Sequence, residues 1–330
     1  AMIPMPDPGF PHPLTPYDKL IINAALTGTM PTKRDTPHVP VTVEEIVRDA
    51  TACCRAGASM VHLHARDEEH RPTRDQQTYA RIVGGIRDLC PELIICVSTS
   101  GKLHEQCTFE ERSQVLELDG DLKPDMASLM LGSLNLAGRT LVNTPELIQG
   151  LARKMKGRGI VPELEAFDMG MINSAKVLIS RGMLGETLYF NLLLGSIYST
   201  PGTLFDLACM ARSLPPGAHW AAAGIGRFQL KMTMGAILMG GHARVGLEDN
   251  IYHDHARSEY TTNEMLVQRL VRFAHEIGRE VATPQEARRM LGIPPVTLQI
   301  AQSEVAAGST RMALGAPPAS AADGAGTWGP

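Results

Sequence analysis

The stretch MVHLHARDEEHRPTRD, Met60 to Asp75, decides how the fold is read. It opens as a short apolar run interrupted by His62 and His64, and a charged turn follows at once. In a strand, residues two apart share a face, so both imidazoles point to the same side. Buried imidazoles need polar partners, so the rest of the chain must supply them.

Seven further runs have the same character: 20–26, 93–100, 126–132, 160–167, 187–195, 219–226 and 242–249. Each is short and bounded by Gly, Pro or polar residues, as buried parallel strands are. Amphipathic stretches lie between most of them. In TVEEIVRDATACCRAG, Thr42 can cap a helix with Glu45 three residues on, and Gly57 can stop it. In TPELIQGLARKMKGRG, Thr144 is the cap, Pro145 the first helical residue and Gly157 lies near the end. Eight strand candidates alternating with helices predict an α/β fold, a (β/α)8 TIM barrel, whose usual size is ~250 residues. An open doubly wound sheet is the alternative, but no G-x-G-x-x-G follows the first run. Beyond the eighth run, 261–278 and 283–292 read as extra C-terminal helices, the first with Leu266, Leu270 and Phe273 on one face. The expected organisation is a Pro-rich N-terminal arm (1–18), one barrel domain (19–304) and a low-complexity tail (305–330), loose or wrapped on a neighbouring subunit.

Composition narrows the function classes. A net charge of −4 carries no basic excess for nucleic acid, and Trp220 and Trp328 form no stacking platform. No run approaches the ~20 apolar residues of a membrane-spanning helix. The six cysteines show no C-x-x-C pairing and no secretory signal precedes them, so reduced thiols in a cytoplasmic protein are expected.

A barrel enzyme draws its active site from the C-terminal ends of its strands. Polar residues collect there: Asn23 and Thr27, His62 and His64, Ser98 and Ser100, Ser128, Glu163 and Glu165, Asn191, and Arg244, Glu248 and Asp249. Two imidazoles on an inward face suit Zn²⁺, which in catalytic sites takes three protein ligands and keeps an open position. In HARVGLEDN, Arg244, Gly246 and Glu248 share one parity, so Glu248 is the candidate third ligand. The alternative is a pair of core histidines satisfied by carboxylates. His253 and His255 form a second H-x-H, but their charged surroundings read as a solvated loop. Arg244 is either a structural ion pair with Asp249 or Glu163, or a bidentate site for a substrate carboxylate. Asp249, of opposite parity, is a general base if it turns inward, and otherwise caps a loop. The turn from Ser98 to Gly101 can offer hydroxyls and N–H groups to a carboxylate, although such turns are common. The Arg66–Asp67 pair reads as strand-end support and His70 as loop.

NAALTG, VHLHARD, VSTSG, KPDMASL, VPELE, AGIGRFQ and GGHARVGLEDN, in this order over about residues 19–292, resemble the β-keto acid cleavage enzymes. The resemblance implies a barrel with one catalytic Zn²⁺, a homotetramer, and a Claisen-type exchange. In that exchange a β-keto acid and acetyl-CoA give acetoacetate and a new acyl-CoA. It also implies His62, His64 and Glu248 as zinc ligands, and Ser98, Gly101 and Ser128 as contacts to the keto-acid part. Arg244 and Asp249 match the residues of orientation and proton transfer. Family members acting on a 5-amino substrate carry a Glu where this chain has Met30, so a keto acid without that amino group is expected here. Arg227 and Lys231 serve either the coenzyme's phosphates or solvated helix surfaces.

Three rivals follow from the residues. A hydrolase of the amidohydrolase type also uses H-x-H in a barrel, but needs histidines where this chain has none, between His104 and His219. A lyase of the hydroxymethylglutaryl-CoA type would need no acyl acceptor. A non-catalytic acyl-binding barrel would hold metal without turnover.

Overall fold

A parallel strand buried on both faces must be apolar nearly throughout, and polar residues survive in it only where they find partners inside the barrel. The computed structural model describes residues 17–100, 107–136 and 139–296, and they follow that rule. Eight parallel strands close on themselves: β1 (Ile22–Ala25), β2 (Met60–Leu63), β3 (Ile94–Val97), β4 (Met126–Met130), β5 (Val161–Ala166), β6 (Tyr189–Leu194), β7 (His219–Gly224) and β8 (His242–Val245). Each pairs with its neighbours in sequence, and β8 returns to β1 with Asn23 opposite Arg244. The fold is a (β/α)8 barrel. The Pro-rich arm up to residue 16, the tail from 297 and Gly101 lie outside the described residues.

Helix caps follow the sequence closely. Helix α1 (Val43–Ala56) starts with a capping box between Thr42 and Glu45 and ends at Gly57, whose φ is +117°. The helix begun by Thr144 runs from Pro145 to Arg158, with Gly157 near its end, and stops at Gly159 in the left-handed region. The remaining long helices of the outer layer are Gln76–Leu89, Met169–Ser180, Leu204–Arg212, Gln229–Leu238 and Asn263–Glu276. Of the two helices expected beyond the eighth strand, Asn263–Glu276 therefore completes the outer layer, and only Pro284–Met290 is added to it.

The apolar interior separates into layers. The large cluster lies between strands and helices, whereas Ile21, Met60, Ile94, Met126 and Tyr189 fill the barrel's lower interior. Ala287, Leu291 and Ile293 join this inner cluster from the C-terminal segment and plug the N-terminal mouth. Arg288 fixes the plug by donating to both Asp125 oxygens, each at 2.9 Å, and to the Glu92 carbonyl at 2.7 Å. Cys53, Cys54, Cys90, Cys96 and Cys209 are free thiols. No helix among the described residues is long and apolar enough to cross a membrane.

Candidate active site at the C-terminal mouth

The strand period puts His62 on the inner face of β2, and His64 follows one step higher as the strand ends. Their Nε2 atoms face each other at 3.2 Å. Glu248 reaches the same point from the turn after β8, which lies one strand away from β2 across β1, with Oε1 3.3 Å from His64 Nε2 and Oε2 3.8 Å from His62 Nε2. Strand β8 ends at Val245, and the chain then turns through 246–250 instead of continuing extended to 249. Strand parity therefore stops governing at Gly246, which is why Glu248 and Asp249 both reach the mouth.

The turn is pinned on several sides. Leu247 N–H donates to Asn263 Oδ1 at 2.7 Å, Gln229 donates to the Gly246 carbonyl at 3.0 Å, and Glu248 N–H donates to Ala25 O at 3.2 Å. A Cβ on Gly246 would lie 1.9 Å from the Ala25 oxygen. Gly28 has φ +64°, and a Cβ there would meet Glu248 Cγ at 2.6 Å. Gly28 lets backbone approach the glutamate closely, and Gly246 lets the turn that carries it lie against the Ala25 backbone.

Glu163 sits beneath the cluster and matters more than its sequence position suggested. Its Oε2 accepts from His62 Nδ1 at 2.7 Å, while Oε1 accepts from Asn23 at 2.7 Å and Asn191 at 3.1 Å. Burial disfavours charge on both partners, but their mutual attraction outweighs it. Glu163 is held below the usual carboxylate range and His62 above the usual imidazole range. A proton held on Nδ1 leaves Nε2 as the coordinating nitrogen, the carboxylate–histidine–metal arrangement. Burial lowers His64, which favours its neutral, ligating form.

Arg244 is fully buried and organises the remaining carboxylates. It donates to Asp249 through Nε at 3.0 Å and Nη2 at 3.3 Å, to Glu248 at 2.8 Å and to Glu165 at 3.4 Å. The ion pair and the inward-facing carboxylate thus occur together. Burial raises Asp249, with Arg244 pulling it down and Glu248 pushing it up. Glu165 is pushed up to about 7 by burial and then by Glu163, against the pull of Arg244.

His62, His64 and Glu248 place one ligand atom each within 4.8 Å of one another. Two observations fit this trio to a divalent cation. Glu248 Oε2 is buried with no hydrogen-bond partner, and four carboxylates crowd a single guanidinium. His62, Cys96 and Glu163 also lie close together, but burial raises the Cys96 thiol far above its ordinary value, which disfavours the ligating thiolate.

The other expected residues are placed differently from one another. Ser98 lines the cavity above the cluster, and its hydroxyl bonds Ser100 at 2.9 Å. Ser128 does not line it: its Oγ accepts from Thr99 N–H at 3.1 Å and braces adjacent strand ends. Met30 stands at the rim, 53% exposed. Arg66 supports the loop carrying Met30, donating to the carbonyls of Gly28 at 2.8 Å and Pro31 at 2.9 Å. His253 bonds Thr261 at 3.3 Å in the loop after β8, and His255 is exposed there. Arg227 and Lys231 are both exposed after β7. Glu163, Glu165, Asn23 and Asn191 stand out in the sequence as strand-end polar groups, but nothing local in it pairs Glu163 with a histidine. The available signal was the inward parity of Glu163 on a strand facing an H-x-H.

A closed barrel with its buried titratable groups gathered at the C-terminal mouth defines the class, a (β/α)8 enzyme. Residues 19–293 match the family model of the beta-keto acid cleavage enzymes, and the chain belongs to that family. It is 42% identical over 277 residues to the 3-keto-5-aminohexanoate cleavage enzyme of Fusobacterium nucleatum, covering 84% of this chain and 98% of that protein. It is 40% identical over 281 residues to the 3-oxoadipate:acetyl-CoA acetyltransferase of Cupriavidus necator, covering 84% and 96%. Among solved structures, the apo structure of ObcA shares the fold with a TM-score of 0.70 at 21% identity, covering 78% of this chain and 66% of that one.

Proposed function

We propose that the protein is a zinc-dependent acyltransferase that cleaves a β-keto acid lacking a 5-amino group, with acetyl-CoA as co-substrate. The observation that carries this reading is the His62–His64–Glu248 trio with Asp249 held beside it by Arg244. Names of relatives that act with acetyl-CoA support the co-substrate. His62, His64 and Glu248 would hold the zinc, which when bound supplies Lewis-acid polarisation of the keto acid's oxygens.

The chain's own residues carry the rest. Asp249, buried and raised above the ordinary aspartate range, takes a proton from the CH₂ between the two carbonyl carbons. Arg244 fixes that carboxylate bidentately, and Ser98 offers its hydroxyl to the keto acid's carboxylate. The resulting carbanion attacks the thioester carbonyl of acetyl-CoA and expels the coenzyme thiolate. The thiolate adds to the original β-carbonyl, the old carbon–carbon bond breaks, and the carbanion released takes back the proton held by Asp249, so that acetoacetate leaves with the new acyl-CoA. No enzyme nucleophile is required. Met30 supports the choice of substrate, because a thioether at the rim cannot pair with an ammonium group.

The test measures zinc content and acetoacetate formation in the parent and in His62→Ala, with several β-keto acids and acetyl-CoA. Loss of both zinc and turnover is expected; full zinc occupancy in the variant overturns the ligand assignment. Acid cleavage that proceeds equally well without acetyl-CoA indicates a lyase. A clear preference for 3-keto-5-aminohexanoate overturns the reading of Met30. A homotetramer, taken from the family resemblance, is checked by light scattering.

A further inference from the structure

A buried asparagine has one oxygen and one NH₂ group to satisfy, so its partners fix the way its amide lies. Thr262 caps the helix Asn263–Glu276 by accepting from Met265 N–H, which makes Asn263 the first helical residue, and Asn263 is fully buried. Its Oδ1 accepts from Leu247 N–H at 2.7 Å. Its Nδ2 donates to the Leu26 carbonyl at 3.0 Å and to Asp49 Oδ2 on α1 at 2.6 Å. The oxygen and both N–H groups are thereby used, by three separate segments of the chain.

Two of those segments lie beside candidate metal ligands. Leu247 immediately precedes Glu248 in the turn after β8. Leu26 follows β1, and its own N–H donates to the His62 carbonyl at 3.3 Å. The amide therefore bridges the backbone next to one ligand to a residue bonded to the backbone of another. Glu248 N–H also donates to Ala25 O at 3.2 Å, so the same two segments are tied twice, which fixes the tilt of the turn as well as its distance. Asp49 decides which way the amide faces. An ionised carboxylate only accepts, so Nδ2 must point at it. Turned over, the amide would set Oδ1 against both Asp49 and the Leu26 carbonyl, and its NH₂ group against Leu247 N–H.

We infer that Asn263 is a positioning residue for the metal centre: its amide, oriented by Asp49, sets where Glu248 stands relative to His62. The inference rests on the reading of His62, His64 and Glu248 as zinc ligands, and adds to it a residue that touches neither metal nor substrate. Glu248 is the ligand that needs such support. His62 stands on a strand paired with both neighbours, whereas Glu248 lies in a turn beyond Val245, the last residue of β8. Backbone that has left the sheet must find its hydrogen bonds elsewhere, and those bonds then hold it in place.

The experiment uses the full-length protein loaded with Zn²⁺ or with Co²⁺, whose absorption bands report the geometry of its ligands. Asn263→Asp keeps the shape of the side chain, loses both N–H donors and sets a second carboxylate against Asp49. Zinc affinity, read by competition with a chelator, is expected to fall about 10–100-fold, as it does when a partner behind a metal ligand is lost. The Co²⁺ spectrum at full occupancy is expected to change with it. Adding Asp49→Asn to Asn263→Asp returns a donor to the pair and should recover part of the affinity; no recovery overturns the role given to Asp49. Asp49→Asn alone keeps an oxygen for the amide and should leave affinity within about twofold of the parent. Arg288→Met, in the plug at the other end of the barrel, is expected to lower the melting temperature and leave zinc affinity unchanged. Parent affinity and an unaltered Co²⁺ spectrum in Asn263→Asp overturn the inference, whatever the melting temperature does. So does an equal loss of affinity in Arg288→Met, because the effect then follows stability alone. If Asn263→Asp does not fold, the smaller, uncharged Asn263→Ser is read in the same assays. A Co²⁺ spectrum that His62→Ala leaves unaltered overturns the ligand reading and the inference with it; one altered by His62→Ala and not by Asn263→Asp overturns the inference alone.

Discussion

Replacing Glu163 by glutamine changes little in volume and much in hydrogen bonding. Glu163 accepts three side-chain N–H groups, from His62 at 2.7 Å, Asn23 at 2.7 Å and Asn191 at 3.1 Å. A glutamine has one oxygen and one NH₂ group to meet them. With its oxygen toward His62, the NH₂ faces two amide NH₂ groups, and each unsatisfied buried donor costs about 1–3 kcal/mol. With its oxygen toward the asparagines, the NH₂ faces His62 Nδ1 and drives the ring proton to Nε2. Nε2 is then blocked as a ligand. Either orientation also removes a negative charge 3.8 Å from the Arg244 guanidinium. Loss of a carboxylate behind a ligating histidine typically weakens metal binding ~10–100-fold. Competition against a chelator, with zinc read by mass spectrometry, measures the affinity; calorimetric melting reports the folding cost in the same protein. Zinc affinity within twofold of the parent, with an unchanged melting temperature and turnover, would refute the pairing argument.

Asp249→Asn keeps an oxygen for Arg244 but cannot accept the substrate proton, so kcat/KM should fall ~10²–10⁴-fold while zinc content is retained. Activity within tenfold of the parent would remove Asp249 from that role. Gly246→Ala forces a methyl to 1.9 Å from the Ala25 oxygen, so the turn bearing Glu248 must shift. Its melting temperature and zinc content should both drop, and an unchanged melting curve would contradict the packing at that turn. Asp49 is half-buried against Asn263 at 2.6 Å, and burial pushes its carboxyl up to about 6. Its folded pKa is therefore above the unfolded one, so its contribution is most favourable below about pH 4 and is lost as pH rises to about 6. Asp49→Asn should stabilise the protein by roughly 1 kcal/mol at pH 8, after discounting for solvent screening, and not at pH 3.5. Urea melts at the two pH values decide it, and an equal shift at both would show that ionisation of Asp49 is not responsible.

The barrel was legible because its signals are local. Alternation of short apolar runs with capped amphipathic stretches follows from backbone hydrogen bonding and the two periodicities of helix and strand. The inward parity of His62 and His64 needs no more than a strand. Other features depended on neighbours far along the chain. The helix that plugs the barrel floor reads like any other amphipathic turn until Ala287 and Leu291 are seen inside the inner cluster. Ser128 carries its hydroxyl in the expected strand, yet Thr99 N–H takes it, and that backbone group has no signature in the sequence.

By itself the sequence determined which residues could face inward, the strand-by-strand order of the polar mouth, and the chemistry of the ligands on offer. Only the tertiary structure decided which of them meet. Closure sets β8 beside β1 and brings Glu248 to within 3.3 Å of His64, while the same closure joins Glu163 to His62 across 101 residues. Arg244 finds Asp249 because the chain leaves the strand at Gly246, where strand parity no longer holds. The physical reason is that periodicity fixes the face on which a side chain stands, whereas the distance between side chains on separate strands is fixed by register and barrel closure.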